Sequence, residues 1–272
     1  MALIDTRYFD TVVAIGSETP NDGTKRESDL LRWIGTGFMV GRPFKAGGVE
    51  GFHVFLVTNK HVLRGMDSFV ARFNPKEGAP ILNHRFVLAD DEKQLWTGHP
   101  KDDIDIAAID VNTAMLREHG RIFDYFNLNE ALMNIDQMIK LGLSEGDFVY
   151  ILGYPMGLAD PEWHYPVVRS GTIARIRDML DGRKSSFLLD SLIFPGNSGG
   201  PVILKPEPAG VGAQPPIGTA YVIGIVSSHL VYGDNKQHSG LATVFPSECV
   251  SETVEAHFKR MRLDSDYTLR LS

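Results

Sequence analysis

Pro195-Gly196-Asn197-Ser198-Gly199-Gly200-Pro201-Val202-Ile203-Leu204 is the stretch on which the fold assignment turns. A serine between glycines can be an ordinary turn. A serine that attacks an acyl carbon, however, needs two backbone N–H groups aimed at the developing oxyanion, and a tight turn free of bulky side chains presents them. The Gly196 and Ser198 N–H groups are the candidates. The same letters also fit Gly-x-Ser-x-Gly, the elbow that holds a nucleophile between a strand and a helix. Such an elbow runs straight into the helix, with the acid and the histidine later in the chain. Here Gly200-Pro201 and the strand-sized run Val202-Ile203-Leu204 follow instead, and strand–helix alternation is missing elsewhere. The stretch reads as part of an all-β chain.

Outward from it, short apolar runs alternate with turn signals. Residues 11–15, 33–40, 53–58, 68–73, 86–88 and 104–109 read as six strands. Residues 148–152, 167–176, 186–189, 202–204, 221–227 and 241–245 read as six more, with Asp181-Gly182 as a hairpin turn. Between the two sets, Asn112 caps a short helix that Gly120 ends, and a second helical patch covers 129–137. Near the end, Ser247 precedes Val250, Val254, Phe258 and Met261 at helical spacing, which predicts a capped helix over 248–261. The expected organisation is a β-half over 1–111, a linker over 112–145, a β-half over 146–246 and a helix with its tail over 247–272. Residues 17–28 and 205–216 are the expected mobile loops.

With 43% hydrophobic and 22% charged residues in 272, there is material for a substantial core. The net charge of −7 and the lack of a Lys/Arg run argue against nucleic acid as a partner. The single cysteine, Cys249, excludes an intrachain disulfide. No signal-peptide pattern and no apolar run of about 18 residues is present, so the expectation is a cytoplasmic protein without a membrane partner.

A serine hydroxyl needs a base at neutral pH. His61 closes the apolar run Val54–Thr58 through Asn59-Lys60, where a rigid element can hold it. Asp105 enters the apolar run of residues 104–109, where a carboxylate is costly unless hydrogen-bonded, as an imidazole-orienting acid is. Asp103 and Asp102 are its rivals. The remaining histidines lack metal-ligand spacing, the Asp102/Asp103/Asp105 group lacks the glycine and glutamate of a calcium loop, and Cys249 lacks a glycine turn. Neither metal nor cofactor is expected.

The order His61, Asp105, Ser198, with separations of 44 and 93 residues, resembles the chymotrypsin-like serine peptidases. Gly35-Thr36-Gly37-Phe38, Thr58-Asn59-Lys60-His61-Val62, Asp105-Ile106-Ala107, Gly153-Tyr154-Pro155, Ser170-Gly171-Thr172-Ile173 and Gly196-Asn197-Ser198-Gly199-Gly200-Pro201 look most like the bacterial HtrA-type and glutamyl-endopeptidase-type branches. The resemblance implies two perpendicular six-stranded β-barrels with a C-terminal helix. Its cleft would hold Ser198 as nucleophile, His61 as base and Asp105 as orienting acid, with a protein or peptide as substrate. It puts Ser227 beside the acid, Leu192 at the floor of the substrate pocket, and Ser227, Ser228, His229 and the strand around Gly240 at its walls. A leucine floor suits small apolar side chains, whereas His229 would suit glutamate.

Three departures matter. Asn197 stands where zymogen-activated relatives carry an aspartate, so that activation switch is not expected. HtrA-type proteins add a PDZ domain after the protease, and none is expected here. Lys60 beside the base would lower the imidazole pKa if its ammonium lay close. The competing reading is a catalytically silent two-barrel module that binds a peptide or partner, and an esterase would share the same triad. An activating or restraining protein partner is a further expectation.

Overall fold

The computed structural model describes residues 4–18, 31–80, 83–90, 93–159, 164–207, 218–233, 235 and 237–263. Most of the expected loops, residues 19–28 and 208–216, lie outside the described residues. A short 3₁₀ turn, Thr6–Thr11, leads into β1 (Val12–Glu18), β2 (Leu31–Ala46) and β3 (Val49–Thr58). After the single-turn helix α1 (Lys60–Leu63) come β4 (Ser68–Arg72), β5 (Asn83–Val87), β6 (Ala89–Asp90), β7 (Lys93–Gln94), β8 (Trp96–Gly98) and β9 (Ala107–Asp110). The middle holds α2 (Thr113–Glu118), β10 (Phe126–Asn127) and α3 (Ile135–Leu141). The second half consists of β11 (Phe148–Gly153), β12 (Val167–Arg175), α4 (Arg177–Leu180), β13 (Phe187–Asp190), β14 (Pro201–Leu204), β15 (Val222–Tyr232) and β16 (Gln237–Pro246), followed by α5 (Ser247–Leu263).

The second half closes fully, in the order β11-β12-β13-β16-β15-β14. The first half is a curled sheet in the order β5-β4-β1-β2-β3-β9-β8, with β10 added in parallel to β2. The fold is the expected all-β one, and the extra strands of the first half are short pieces with little propensity of their own. Side chains alternate across a strand, and here both faces of the first sheet are apolar. Val13, Ile15, Met39, Val54 and Leu56 fill the curl, together with Phe69 stacked on Phe86 at 4.9 Å. Their neighbours Val12, Ala14, Phe38, Val40, Phe55 and Val57 face outward, onto Leu152, Tyr154, Ile203, Val222 and Ile225 of the second half. Cys249, Val250, Val254 and Met261 of α5 join this same shared core. At about 1.5–3 kcal/mol for each large apolar side chain buried, that second face holds the halves together without a disulfide.

Several local expectations are corrected. Asp181-Gly182 is not a two-residue hairpin: α4 precedes it, and Gly182 at φ 72° ends the helical turn. The patch expected over 129–137 starts later, because Asn134 and Gln137 form a capping box and Gly142 at φ 75° terminates α3. Ser247 belongs to α5, and its hydroxyl donates to the Met133 carbonyl instead of capping the helix. β9 begins at Ala107, so Asp105 lies in the link before the strand and not within it.

Candidate active site

His61 is the second residue of α1, which turns directly off β3. Val62 and Leu63, only 6% and 1% exposed, anchor this single turn in the first-half core. Asn59 ties the turn to the acid's segment, its Nδ2 donating to the Asp105 carbonyl at 2.7 Å. Ile104 and Ile106 on either side of Asp105 are buried in the shared core, so the carboxylate is directed outward between two apolar anchors. It accepts from the His61 backbone N–H through Oδ1 (3.0 Å), and its Oδ2 meets His61 Nδ1 at 2.5 Å. The Ser227 hydroxyl donates to the same Oδ2 at 3.2 Å. Burial works against this carboxylate, but the His61 ring, its charge, its backbone N–H and the Ser227 hydroxyl outweigh burial and hold the pKa below the usual value.

Ser227 also reaches the 195–200 turn, because Ser198 Oγ donates to its carbonyl oxygen at 3.0 Å. One residue of β15 therefore touches both the acid and the serine. Among the described residues, no hydrogen bond joins Ser198 Oγ to His61. The turn itself is held by Asn197 N–H to Phe194 O (3.0 Å), Gly200 N–H to Asn197 O (2.9 Å) and Gly199 N–H to Val226 O (2.9 Å). Neither the Gly196 nor the Ser198 N–H has an acceptor among the described residues, so both could donate to an added acceptor. Gly196 has φ 100°, and a Cβ there would lie 2.3 Å from the Tyr154 carbonyl oxygen. Gly199 has φ 86°, and its Cβ would lie 2.0 Å from the Thr36 carbonyl oxygen. Both positions require glycine.

Residues to which the sequence assigned no role of their own complete the turn. Met156 N–H donates to the Pro195 carbonyl at 2.6 Å. A trans peptide sets C=O and N–H on opposite sides, so this bond directs the Gly196 N–H away from the 154–157 turn. Met156 does this at φ 55°, the only positive φ outside glycine among the described residues. Thr36, Thr58 and Tyr154 are the other contributors; Thr36 N–H donates to the Ser198 carbonyl at 2.9 Å. The glycine-flanked Thr36 in Gly35-Thr36-Gly37 was the available signal.

Of the expected pocket residues, Ser228 and His229 lie on β15, Gly240 lies on β16, and Leu192 lies in the segment after β13 that hydrogen bonds tie to β16. Ser191 N–H donates to Gly240 O (2.9 Å), and His238 donates through Nε2 to Ile193 O (2.7 Å) while its Nδ1 accepts from Gly240 N–H (2.9 Å). His229 stacks on His238 with centroids 4.5 Å apart. Ser228 is exposed, and Leu192 is 51% exposed. Of the rival acids, Asp103 accepts, among the described residues, only from Ser185 Oγ, at 3.3 Å. The Lys60 ammonium turns to the carbonyls of His99 (3.2 Å) and Lys101 (3.3 Å), so it braces the segment leading to Asp105.

His99, Cys249 and Glu252 place three donor atoms within 4.8 Å of one another. They fit a metal poorly. His99 Nδ1 accepts from Lys101 N–H at 3.0 Å, so neutral Nε2 carries the proton it gives to Glu252 at 2.7 Å. Burial also pushes the Cys249 thiol up to about 12, against thiolate formation. A groove of roughly 1160 Å³ along α5, bordered by His99, Lys101 and Glu252, contains none of the residues around Ser198.

A family model described as the trypsin-like peptidase domain matches residues 35–212, more than half of the chain. This chain belongs to the trypsin-like peptidase family. No curated protein matches it. Among solved structures it is similar to an HtrA-type protease, AlgW, with a decapeptide, at TM-score 0.53 and 16% identity. That match covers 93% of this chain and 66% of AlgW, so less than two thirds of the longer protein is represented here. A substituted AlgW with a tripeptide matches at TM-score 0.49 and 18% identity, covering 92% and 61%. At these identities the first match bears on the fold alone. No described helix is long and apolar enough to cross a membrane.

Proposed function

We propose that this chain is a serine endopeptidase in which Ser198 forms the acyl-enzyme, His61 is general base and then acid, and Asp105 orients it. The observation that carries this reading is the Asp105 carboxylate joined to His61 Nδ1 at 2.5 Å and linked through Ser227 to Ser198. An imidazole whose Nδ1–H is held by a carboxylate presents a bare Nε2. Rotation of the Ser198 side chain off the Ser227 carbonyl brings its proton to that nitrogen. Oγ then attacks the peptide carbonyl, and the oxyanion takes the Gly196 and Ser198 N–H groups. His61 passes the proton to the departing amine, and water repeats the sequence on the acyl-enzyme.

The silent-module reading is disfavoured because nucleophile, base, acid and glycine turn are all retained. The pocket is assigned to Leu192, Ser228, His229 and Gly240, with a protein or peptide as substrate and a regulating protein as a further partner. His229 is the wall group that could pair with a carboxylate, since both ring nitrogens of His238 are taken by backbone. A single buried cysteine supports a cytoplasmic setting. Mass spectrometry after a fluorophosphonate probe tests the proposal: the adduct should map to Ser198, and Ser198→Ala should lower peptide turnover by about a millionfold. Labelling elsewhere, or an equally active alanine variant, would defeat it.

A further inference from the structure

Thr36 lies on β2 of the first half, 0% exposed, yet every polar atom it owns is used, three of the four bonds reaching the second half. Its hydroxyl donates to the Gly196 carbonyl at 2.6 Å and accepts from the Tyr154 N–H at 3.0 Å. Its backbone N–H donates to the Ser198 carbonyl at 2.9 Å. Its carbonyl accepts from the Thr58 hydroxyl at 2.7 Å, three residues before His61. One buried residue thus connects the end of β3, just before the base on α1, to the peptide units that follow Gly196 and Ser198, the proposed oxyanion donors.

The Gly196 dihedrals are set by the planes of the two peptides on either side of it. The Pro195–Gly196 plane is held by Met156 N–H, and the Gly196–Asn197 plane is held by the Thr36 hydroxyl. Glycine has no side chain to resist rotation and reaches other dihedrals easily. Without the hydroxyl, one of the two planes is released and the Gly196 N–H loses its fixed direction.

Resting on the endopeptidase reading, we infer that Thr36 is a positioning residue: a first-half hydroxyl that keeps the second-half oxyanion donors aimed at the reacting carbonyl. The oxyanion exists in the transition state and not in the bound substrate, so the loss should appear in kcat and spare KM.

Thr36→Val keeps the shape and removes the hydroxyl, and Thr36→Ser keeps the hydroxyl and removes a methyl. Each is compared with wild type on one fluorogenic peptide, below the melting temperature of the least stable protein. Thr36→Val should lose about 100-fold in kcat, the scale of one oxyanion donor, with KM within about twofold. Thr36→Ser should stay within several-fold of wild type. A peptide boronate, whose tetrahedral adduct occupies the oxyanion site, should bind Thr36→Val about 100-fold more weakly. If the valine variant does not fold, Thr36→Ala replaces it, because Ala and Ser both lack the methyl and only Ala lacks the hydroxyl. Wild-type kcat in the hydroxyl-less variant, or Ser falling as far as Val or Ala, overturns the inference. An inactive wild type, unlabelled at Ser198, would instead end the endopeptidase reading.

Discussion

Replacing Asp105 by asparagine changes almost no volume and tests the acid's role by hydrogen-bond accounting. The carboxylate accepts three bonds: from His61 N–H (3.0 Å), His61 Nδ1 (2.5 Å) and Ser227 Oγ (3.2 Å). Asparagine offers one oxygen. The backbone N–H cannot reverse its role, so that oxygen takes the Oδ1 place and the NH₂ faces Nδ1 and Ser227. Nδ1 must then accept, which moves the imidazole proton to Nε2, the nitrogen needed bare for Ser198. The expected loss is about 10⁴ in kcat near pH 7, equivalent to about 5 kcal/mol. Loss of one charge-assisted hydrogen bond alone would cost about 1.5–3 kcal/mol, roughly 10- to 150-fold. The two accounts therefore differ by more than an assay's error. A fluorogenic peptide gives the rate, and circular dichroism checks the fold. Asp103→Asn, which among the described residues disturbs only the Ser185 contact, should stay within about threefold. A deficit below 100-fold in Asp105→Asn refutes the tautomer argument, and a reversed ranking refutes the choice of acid.

Gly196→Ala would place a methyl carbon 2.3 Å from the Tyr154 carbonyl oxygen at φ 100°, so the peptide must shift and kcat should fall about 10²- to 10³-fold; wild-type kcat would contradict the donor assignment. His257, 1% exposed, is pushed down to about 3 by burial. Its folded pKa is below the unfolded value of 6.5, so only the unfolded chain takes up this proton between pH 6.5 and 3. Stability should therefore fall with acidification through that window, by about 2 kcal/mol from pH 7 to pH 5 for this group. Urea midpoints should show that slope flattened in His257→Asn, and parallel curves for the two proteins would argue against it. Cleavage of a proteome-derived peptide library should occur after Val, Ala, Leu or Met; predominant cutting after Lys or Arg sinks the pocket assignment, and cutting after Glu makes His229 the recognition residue.

Much of the fold was readable because apolar runs and turn residues act locally. All twelve expected strands coincide in part with observed strands, and Asn112 and Gly120 bound α2 as anticipated. β8 and β10 were not readable, since three and two residues gain strand geometry only from the neighbours they pair with. Asp105 stood out as the candidate acid for a partly wrong reason: its link carries buried Ile104 and Ile106 like a strand, yet Asn59 and His61, not a neighbouring strand, donate to it. His61 and Ser198 carried local motifs. Thr36 and Met156 bond to backbone partners more than 30 residues away; the glycines around Thr36 mark the residue, but no local pattern names the partner of such a bond. Where the Lys60 ammonium ends was not legible, because sequence adjacency to His61 says nothing of the direction of a long side chain.

The spaces beside Gly196 and Gly199 are filled by carbonyl oxygens, of Tyr154 at 2.3 Å and of Thr36 at 2.0 Å. Every amino acid carries that oxygen, so no second substitution can clear room for a larger residue in the turn. Variation there is closed to natural selection and to the protein engineer alike, however many compensating changes are tried. At Leu192 and Ser228 the side chains are exposed, and there alternatives can be sampled one at a time. If these two line the pocket of the proposed endopeptidase, this chain could acquire a new appetite without touching the machinery that would cut: its chemistry would be frozen by backbone, and its preference written in replaceable side chains.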